Sequence, residues 1–560
     1  MKSAIEAIEA IEAIEAKDSG IDITGDLLKR LEQLNQVGVS LSKERDTTRL
    51  LETILLAAKS ITHADGGTLY RTMEDGKALR FEILRTDSLS IAMGGTSGAE
   101  MNFPNVPLVK QDGTANDSLV AAYAAIHSQT VNIRDAYSEA NFDFSGTRGF
   151  DLRTGYRSQS FLAVPMKDHE GEVIGVLQLI NAIDPQSGQV TAFSHADQRL
   201  AESLASQAAI ALTNRLLMSQ LEALFESFIN LINLAIDEKS HYTGDHCQRV
   251  PALTMMLAEA VNDTATGPFA TFTMAERDRY ELKIAGLLHD CGKITTPVHI
   301  VDKATKLHTL FDRIELVDTR FEVLKRDREI DALRRQLALR DVKNSAAEAL
   351  AASTCRKEIE TLDAEREFIR AANTGSESMT PEAMARVREI GHRHSWRGAD
   401  GLEQEFLSAN ELENLTIRAG TLTQEERKVI NHHIVATIKM LEQLPWPKHL
   451  KRVPEYAGGH HERMDGKGYP KGLTREQMSV QARAMGIADI FEALTAKDRP
   501  YKTGMKLSQA MGIMHKFKQN GHIDPDLFDV FVQKGVYKNY ALQFLDSWQI
   551  DDVDTAQLLA

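Results

Sequence analysis

The chain has 560 residues, of which 42% are hydrophobic and 26% are charged, and its formal net charge is -15. This length exceeds what one hydrophobic core normally supports, so we expect more than one domain. The acidic charge argues against a binder of polymeric nucleic acid, because such proteins need a basic surface. There is no apolar run of the roughly 20 residues that a membrane span needs, no secretory pattern, and no paired framework among Cys247, Cys291 and Cys355. We therefore expect a cytoplasmic protein without a membrane anchor.

The first part of the chain changes from a helical to a strand-like pattern. An Ile-Glu-Ala repeat between residues 4 and 16 has a three-residue period, which drifts around a helix and gives no buried face. Helical spacing of apolar residues follows from about 22 to 61. Four strand-like runs come next, at 66–72, 78–85, Ser160 to Lys167 and Val173 to Ile183. The last two are separated by Asp168-His169-Glu170-Gly171, which predicts a hairpin.

This order of helix, strands, hairpin and closing helix resembles a GAF domain, a small α/β sensor module. Asn181, Phe193 and Asp197 lie near the spacing of the Asn-Lys-Phe-Asp-Glu signature of GAF domains in cyclic-nucleotide phosphodiesterases. Ala182 and Gln198 replace its Lys and Glu. Two interpretations therefore stay open: a sensor that binds a small ligand, and a domain that only packs or dimerises.

A helical pattern then continues without interruption over residues 196–238. Large apolar side chains alternate four- and three-residue steps at Leu217, Leu221, Leu224, Phe228 and Leu231. Such a heptad seam predicts a parallel coiled-coil linker in a homodimer. The alternative, that the stripe packs on its own domain, stays open.

Histidines beside aspartates are concentrated in the second half of the chain, on predicted helices with apolar neighbours. They are His246, His289, Asp290, His433, His460, His461 and Asp489. Imidazoles combined with carboxylates suit iron, manganese or zinc, whereas the absence of a cysteine cluster disfavours a structural zinc site. Because an aspartate can bridge two cations, this number of ligands predicts a two-metal centre that acidifies a water.

Two motifs carry a resemblance to a known family. The first is His289-Asp290 with Gly292-Lys293, and the second is the run His-His-Glu-Arg-Met-Asp-Gly-Lys-Gly-Tyr-Pro from 460 to 470. Together with Asp489-Ile-Phe-Glu-Ala-Leu-Thr they resemble the HD-GYP family of cyclic di-GMP phosphodiesterases, over residues 226–310 and 421–545. The resemblance implies an all-helical HD domain, hydrolysis of cyclic di-GMP to linear pGpG with further cleavage to GMP left open, and contacts with synthase partners.

The resemblance also implies roles for individual residues. The metal ligands would be His246, His289, Asp290, His433, His460, His461 and Asp489, with Asp290 as the bridge and two metal ions per chain, iron or manganese. Spacing from Thr423 favours His433 over its neighbour His432. The catalytic residues would be His289, Asp290 and Lys293, and the substrate contacts Lys293, Arg499, Lys502, Gly468, Tyr469 and Pro470. Glu462 and Asp465 are expected to orient ligands or shape the loop.

One position bears on the number of metals. Family members with a third metal resemble one another in a glutamate four residues before the first ligand histidine, where this chain has Tyr242. A neutral phenol is a poor substitute for a carboxylate in binding a third dication. We therefore expect a binuclear centre.

The chain departs from the family by an insertion at about 311–420. Apolar residues with helical spacing predict an antiparallel helical hairpin there, at Ile314, Val317, Phe321, Leu324, Cys355, Ile359, Leu362 and Ile369. The predicted fold is multidomain, an α/β GAF domain followed by an all-α HD domain with this insertion. Its parts are a tail and helix (1–45), the GAF domain (46–200), a helical linker (201–238) and the HD-GYP domain (239–560).

Two further functions stay open beside hydrolysis of cyclic di-GMP. A mixed cyclic GMP-AMP could be the preferred substrate, since nothing in the sequence selects the bases. A non-catalytic effector that binds the dinucleotide is the other alternative, and the complete ligand set argues against it.

Overall fold

Residues 23–44, 46–110, 112–239, 246–341, 345–375, 378–497 and 504–560 are described by the computed structural model of the protein. The Ile-Glu-Ala repeat, Tyr242, Arg499 and Lys502 lie outside the described residues. The chain divides into two compact units, residues 1–224 and 225–560. Among the described helices, none combines the length and the apolar character that a membrane span requires.

The first unit contains an antiparallel sheet and helices. Its strands are β1 (Ala64–Thr72), β2 (Ala78–Thr86), β3 (Ile91–Gly94), β4 (Val106–Pro107), β5 (Val131–Ile133), β6 (Phe161–Lys167), β7 (Val173–Ile183) and β8 (Val190–Thr191). The strand order is β3-β2-β1-β7-β6-β5, with β4 beside β2 and β8 beside β7. Its helices are α1 (Ile23–Lys43), α2 (Thr47–Thr62), α3 (Val120–His127), α4 (Ser145–Thr154) and the beginning of α5 (His195–Lys239). The predicted α/β class of this unit and the hairpin of β6 and β7 are confirmed.

The helical stretch predicted from about 22 to 61 is two helices. Asp46 begins the second one, because its side chain accepts a hydrogen bond from the Arg49 amide at 2.9 Å. A side-chain acceptor at this position satisfies an amide that has no partner inside the helix. Asp46 therefore marks the start of a separate helix within the predicted stretch.

Helix α5 supplies residues to the cores of both units. Leu204 and Leu212 are buried in the core of the first unit, and Ile229 and Ile236 are buried in the core of the second. A different face carries the predicted seam, whose members are between 50% and 60% exposed: Leu217, Leu221, Leu224, Phe228 and Leu231.

The second unit is mostly helical, as predicted. Its helices outside the insertion are α6 (His246–Asn262), α7 (Glu276–Leu288), α8 (Val298–Val301), α13 (Gln424–Glu442), α14 (Val453–Gly458), α15 (Val480–Thr495), α16 (Leu507–Gln519), α17 (Pro525–Gln533), α18 (Val536–Phe544) and α19 (Thr555–Leu559). A large apolar core joins α6, α7 and α15 through fully buried side chains such as Val250, Ile284 and Ile487. This core fixes the helices that carry the polar cluster described below.

The insertion has a small core of its own and is more than the predicted hairpin. Helices α9 (Ile314–Asp341) and α10 (Ser345–Asn373) pair, and α11 (Pro381–Arg393), β9 (Ser395–Arg397), β10 (Glu403–Glu405) and α12 (Ala409–Leu415) follow. Phe321, Ile369 and Phe406 are buried together. The short hairpin of β9 and β10 departs from the expected all-helical unit, because Gly401 adopts a positive φ of 77° in its turn.

The two ends of the insertion meet. The Thr421 hydroxyl donates to the Lys303 carbonyl at 2.9 Å, and the buried Lys303 ammonium contacts Asn414 at 2.7 Å and Glu426 at 2.7 Å. Glu426 also accepts from the Thr423 amide at the beginning of α13. The insertion is thereby attached to the start of a helix that carries a predicted ligand.

Candidate metal centre

The predicted ligands come from the ends and interiors of five helices. His246 begins α6, His289 and Asp290 directly follow α7, His433 lies within α13, His460 and His461 follow α14, and Asp489 lies within α15. All are buried except His461 and Asp489, which are partly exposed. The apolar packing of these helices therefore brings together polar groups that are distant in sequence.

Asp290 lies at the centre of the cluster. Its Oδ2 atom is 3.1 Å from His246 Nε2 and 3.2 Å from His289 Nε2, and its Oδ1 atom is 3.2 Å from His433 Nε2. Asp489 Oδ1 lies 3.4 Å from His246 Nε2. The two oxygens of Asp290 thus face different histidines, which is the arrangement that a bridging carboxylate needs.

Three of the histidines are oriented by the backbone. In each, Nδ1 lies 2.5–2.6 Å from the carbonyl oxygen three residues earlier: His289 with Gly286, His433 with Ile430, and His460 with Ala457. A carbonyl only accepts, so Nδ1 carries the proton and donates it. The deprotonated Nε2 atom is therefore the one left to bind a metal.

Several ligand atoms of the cluster are buried without a hydrogen-bond partner among the described residues. His289 Nε2, His460 Nε2 and Asp290 Oδ1 make no hydrogen bond within the described residues. Leaving such atoms unpaired is costly, and metal ions commonly satisfy them. Two groups of donor atoms each lie within 4.8 Å of one another, His246 with His289 and Asp290, and His433 with His460 and His461. Both groups have the donor chemistry of a metal site, since imidazole with carboxylate suits iron, manganese or zinc.

The charges of the cluster favour metal binding at neutral pH. Burial alone would raise the pKa of Asp290, but Lys293 and His289 hold it well below its usual value. Burial lowers the pKa of His461 to about 4 and that of His460 well below its usual value. Ligands must be ionised carboxylates and neutral imidazoles, and Asp290, His460 and His461 prefer these forms. Burial would lower the pKa of His246, but Glu492 and Asp290 raise it to about 9, so a metal must displace a proton from that ring.

Lys293 adds a positive charge beside the bridge. Its Nζ atom lies 2.6 Å from Asp290 Oδ2. Burial would lower the pKa of Lys293, but Asp290 and Asp489 raise it above its usual value. The Lys293 side chain is therefore a cation at neutral pH and can form an ion pair with a phosphate.

The neighbouring histidines 432 and 433 are placed differently. His433 is buried in the cluster, whereas His432 is exposed. The placement agrees with the choice of His433 from the spacing, because adjacent residues on a helix are turned by about 100°.

The loop after His461 borders the cluster. The Tyr469 ring stacks on the His461 ring with 4.9 Å between centroids, and Pro470 follows it. A Cβ atom on Gly468 would lie 2.5 Å from the Glu462 Cα atom, so the loop is too tight there for a side chain. Glu462 accepts from the amides of Lys471 and Leu473. Asp465 accepts from Arg463 and from the Lys467 amide, so both carboxylates shape the loop.

Two residues without a predicted role, Glu492 and Arg249, also contact the cluster. Glu492 accepts from His246 Nδ1 at 2.6 Å and from Arg249 Nε at 2.8 Å. The sequence contains a usable signal for both, because Arg249 lies three residues after His246 and Glu492 lies three residues after Asp489. Side chains with this spacing lie on one face of a helix.

Family models identify both units. A GAF domain model matches residues 46–212, and two HD domain models match residues 243–384 and 407–527. The chain carries a GAF domain followed by an HD domain. The polar cluster lies wholly within the HD domain, and its candidate ligands are divided between the two matched segments.

Relatives with assigned activities resemble part of the chain. A cyclic di-GMP phosphodiesterase of Pseudomonas aeruginosa is 37% identical over 134 residues, which cover 24% of this chain and 31% of that protein. A 3'3'-cGAMP-specific phosphodiesterase of Vibrio cholerae, numbered 1, is 34% identical over 147 residues, which cover 26% of this chain and 33% of that protein. A second one from V. cholerae, numbered 3, is 38% identical over 113 residues, 20% of this chain and 23% of that protein. The chain thus spans about a third or less of the curated relatives it matches, and these matches support the resemblance of its HD domain to phosphodiesterases of the HD-GYP type.

Proposed function

We propose that the HD domain is a metal-dependent phosphodiesterase that hydrolyses a cyclic dinucleotide, with cyclic di-GMP as the first candidate substrate. The observation that carries the proposal is the buried cluster around Asp290, in which three donor atoms lack a hydrogen-bond partner within the described residues. A buried group of imidazoles and ionised carboxylates with unpaired ligand atoms has little structural use without cations.

The proposed chemistry divides among the residues of the site. His246, His289, Asp290 and Asp489 would hold one metal. His433, His460 and His461 would hold the second metal, to which Asp290 would also contribute. Two bound metals supply Lewis acidity to the phosphate and lower the pKa of a water. Lys293 would hold a phosphate oxygen as a point charge, and the Tyr469 ring would border the substrate. Arg499 and Lys502 are proposed as further phosphate contacts from the sequence, because a cyclic dinucleotide carries two charged phosphodiesters.

A cyclic GMP-AMP is the second candidate substrate. Two relatives named as 3'3'-cGAMP-specific phosphodiesterases are 34% and 38% identical over their matched segments, close to the 37% of the cyclic di-GMP enzyme. Both substrates have the same linked phosphates and differ in one base, so the proposed metal and phosphate contacts would serve either.

Regulation by the GAF domain is the third part of the proposal. The exposed seam on α5, from Leu217 to Leu231, would pair with the same seam of a second chain. A paired helix that also contributes to the cores of both units can pass a change in the GAF domain to the HD domain as a small shift of packed helices. A small ligand of the GAF domain would be the signal.

The test combines metal content with product analysis. Protein reconstituted with Fe²⁺ or Mn²⁺ is incubated with cyclic di-GMP, 3'3'-cGAMP and cyclic di-AMP, and chromatography separates linear dinucleotides from mononucleotides. We expect two metals per chain and cleavage of at least one guanine-containing substrate. His433→Ala should abolish turnover, while the matched variant His432→Ala, at the exposed neighbouring position, should retain it. Binding without cleavage by metal-loaded protein would favour the effector alternative, and three metals per chain would contradict the binuclear centre expected from Tyr242.

A further inference from the structure

His246 is oriented differently from the three histidines whose Nδ1 atoms face backbone carbonyls. Its Nδ1 atom lies 2.6 Å from Glu492 Oε2. The Glu492 side chain is fully buried, with 0% of its surface exposed. A carboxylate therefore takes the place that a carbonyl oxygen occupies at the other three ligands.

Arg249 holds the second oxygen of the same carboxylate. Its Nε and Nη2 atoms lie 2.8 Å and 2.7 Å from Glu492 Oε1. The guanidinium on one oxygen and the imidazole on the other hold the carboxylate in a position from which it reaches His246 Nδ1.

The spacing on the two helices explains how this contact is built. His246 and Arg249 are three residues apart on α6, and Asp489 and Glu492 are three residues apart on α15. Residues with this spacing project from the same face of a helix. Each helix therefore presents one predicted ligand and one supporting residue to the other helix.

We infer that Glu492 and Arg249 are positioning residues for one of the two metal positions, the one formed by His246, His289 and Asp290. The inference rests on the metal centre of the proposed function. A carboxylate on the far nitrogen of a ligand imidazole fixes the ring and makes Nε2 a stronger donor. His433 and His460 instead donate to carbonyls of their own helical turns. The two positions should therefore differ in affinity, with the tighter one beside Glu492.

The test measures Mn²⁺ binding to the metal-free full chain by titration calorimetry and electron paramagnetic resonance. Wild-type protein should bind two Mn²⁺ ions with different affinities. Its electron paramagnetic resonance spectrum should be that of two magnetically coupled Mn²⁺ ions. In Glu492→Gln, which keeps the size of the side chain, the affinity of the tighter step should fall by about ten- to a hundredfold. The weaker step should stay nearly unchanged. At one equivalent of Mn²⁺ the site preference should also invert, toward the His433, His460 and His461 group.

Two further variants separate positioning from folding. Arg249→Lys keeps the charge but not the paired donors, so it should weaken the same step by a smaller factor. His433→Ala should weaken the other step and leave the tight one, which makes it the matched control. Equal weakening of both steps in Glu492→Gln, or of neither, would overturn the inference while leaving the proposed function intact. Wild-type protein that binds no Mn²⁺, Fe²⁺ or Zn²⁺ would overturn the metal centre itself.

Discussion

Gly292 lies against the backbone of His433 with no room for a side chain. A Cβ atom on Gly292 would be 2.0 Å from the His433 carbonyl oxygen, and the Gly292 amide donates to Thr437 Oγ1 at 2.9 Å. The turn that follows Asp290 can approach α13 this closely because residue 292 is glycine. The short distance between Asp290 and His433 depends on that approach.

We expect Gly292→Ala to separate Asp290 from His433, to lower metal content and to reduce turnover by about a hundredfold or more, since misplacement by 1 Å has effects of that size. Gly512→Ala is the matched control. A Cβ atom there meets nothing within 4 Å, and the helical position should gain about 1 kcal/mol of stability. Metal analysis, turnover and thermal unfolding of both variants check the prediction. Normal metal content in Gly292→Ala would contradict it.

Arg499 is predicted from the sequence to hold a substrate phosphate. Arg499→Ala should raise KM or lower kcat/KM for the cyclic dinucleotide by about tenfold or more, because a charged hydrogen-bonded pair is lost, while the metal content stays the same. Arg499→Lys should recover part of the loss, since a point charge remains. Elemental analysis beside steady-state kinetics makes the distinction. If the alanine variant loses metal in proportion to activity, Arg499 supports the structure of the site instead.

Lys306 is a buried cation near the insertion core. Its side chain is 1% exposed, and its Nζ atom contacts the Leu415 carbonyl at 3.2 Å and the Met379 sulfur at 3.4 Å. Burial lowers the pKa of Lys306 to about 8. The unfolded chain, with a lysine pKa of about 10.4, keeps its proton to higher pH than the folded protein. The contribution of Lys306 to the free energy of unfolding must therefore rise with pH between about 8 and about 10.4.

Lys306→Met should raise the free energy of unfolding at pH 7 by up to about 3 kcal/mol, and the gain should shrink as pH rises through that window. The control is Lys303→Met, which removes the partner of Glu426 and should destabilise the protein at the same pH. Urea unfolding of the three proteins at several pH values provides the comparison. A gain that does not vary with pH would show that packing, not charge, sets the cost at Lys306.

The exposed seam on α5 predicts a dimer. Leu221→Glu combined with Phe228→Glu should convert the dimer to a monomer, because charges at facing positions of a coiled coil repel and are desolvated. Leu542→Glu is the control, at a leucine that is 69% exposed and lies outside the seam. Sedimentation velocity measures the oligomeric state, and turnover shows whether regulation depends on it. A monomeric wild-type protein would refute this role of the seam.

Much of the architecture follows from local patterns in the sequence. Strand β7 matches the run from Val173 to Ile183, and α5 begins and ends within one residue of the predicted helical stretch. The break between α1 and α2 was not predicted, because apolar spacing continues across it and the cap at Asp46 is a single side-chain contact. The hairpin of β9 and β10 depends on a Gly401 turn within a segment where helical spacing dominates.

In the candidate site, too, some features follow from local sequence patterns and others do not. The candidate ligands were predicted because five or six histidines and aspartates occur together in helical surroundings and in a recognisable order, whereas a single histidine-aspartate pair is common by chance. The three-residue spacing of Glu492 from Asp489 places it on the same helix face, but its contact with His246 joins residues far apart in the chain, so the spacing does not identify the partner. The backbone carbonyls of Gly286, Ile430 and Ala457 cannot be predicted from residue type, because every residue has a backbone carbonyl.

The insertion starts and finishes at one place, where Thr421 donates to Lys303. An insertion whose two ends lie side by side can be gained, lengthened or lost in evolution while the helices on either side keep their positions. Mutation can therefore remodel the insertion core around Phe321 and Ile369 as long as the contacts of Lys303 with Asn414 and Glu426 are kept. Proteins that share the polar cluster around Asp290 are free to diverge in this segment, and the rate of change along the gene should be higher there than in the helices that hold the candidate ligands.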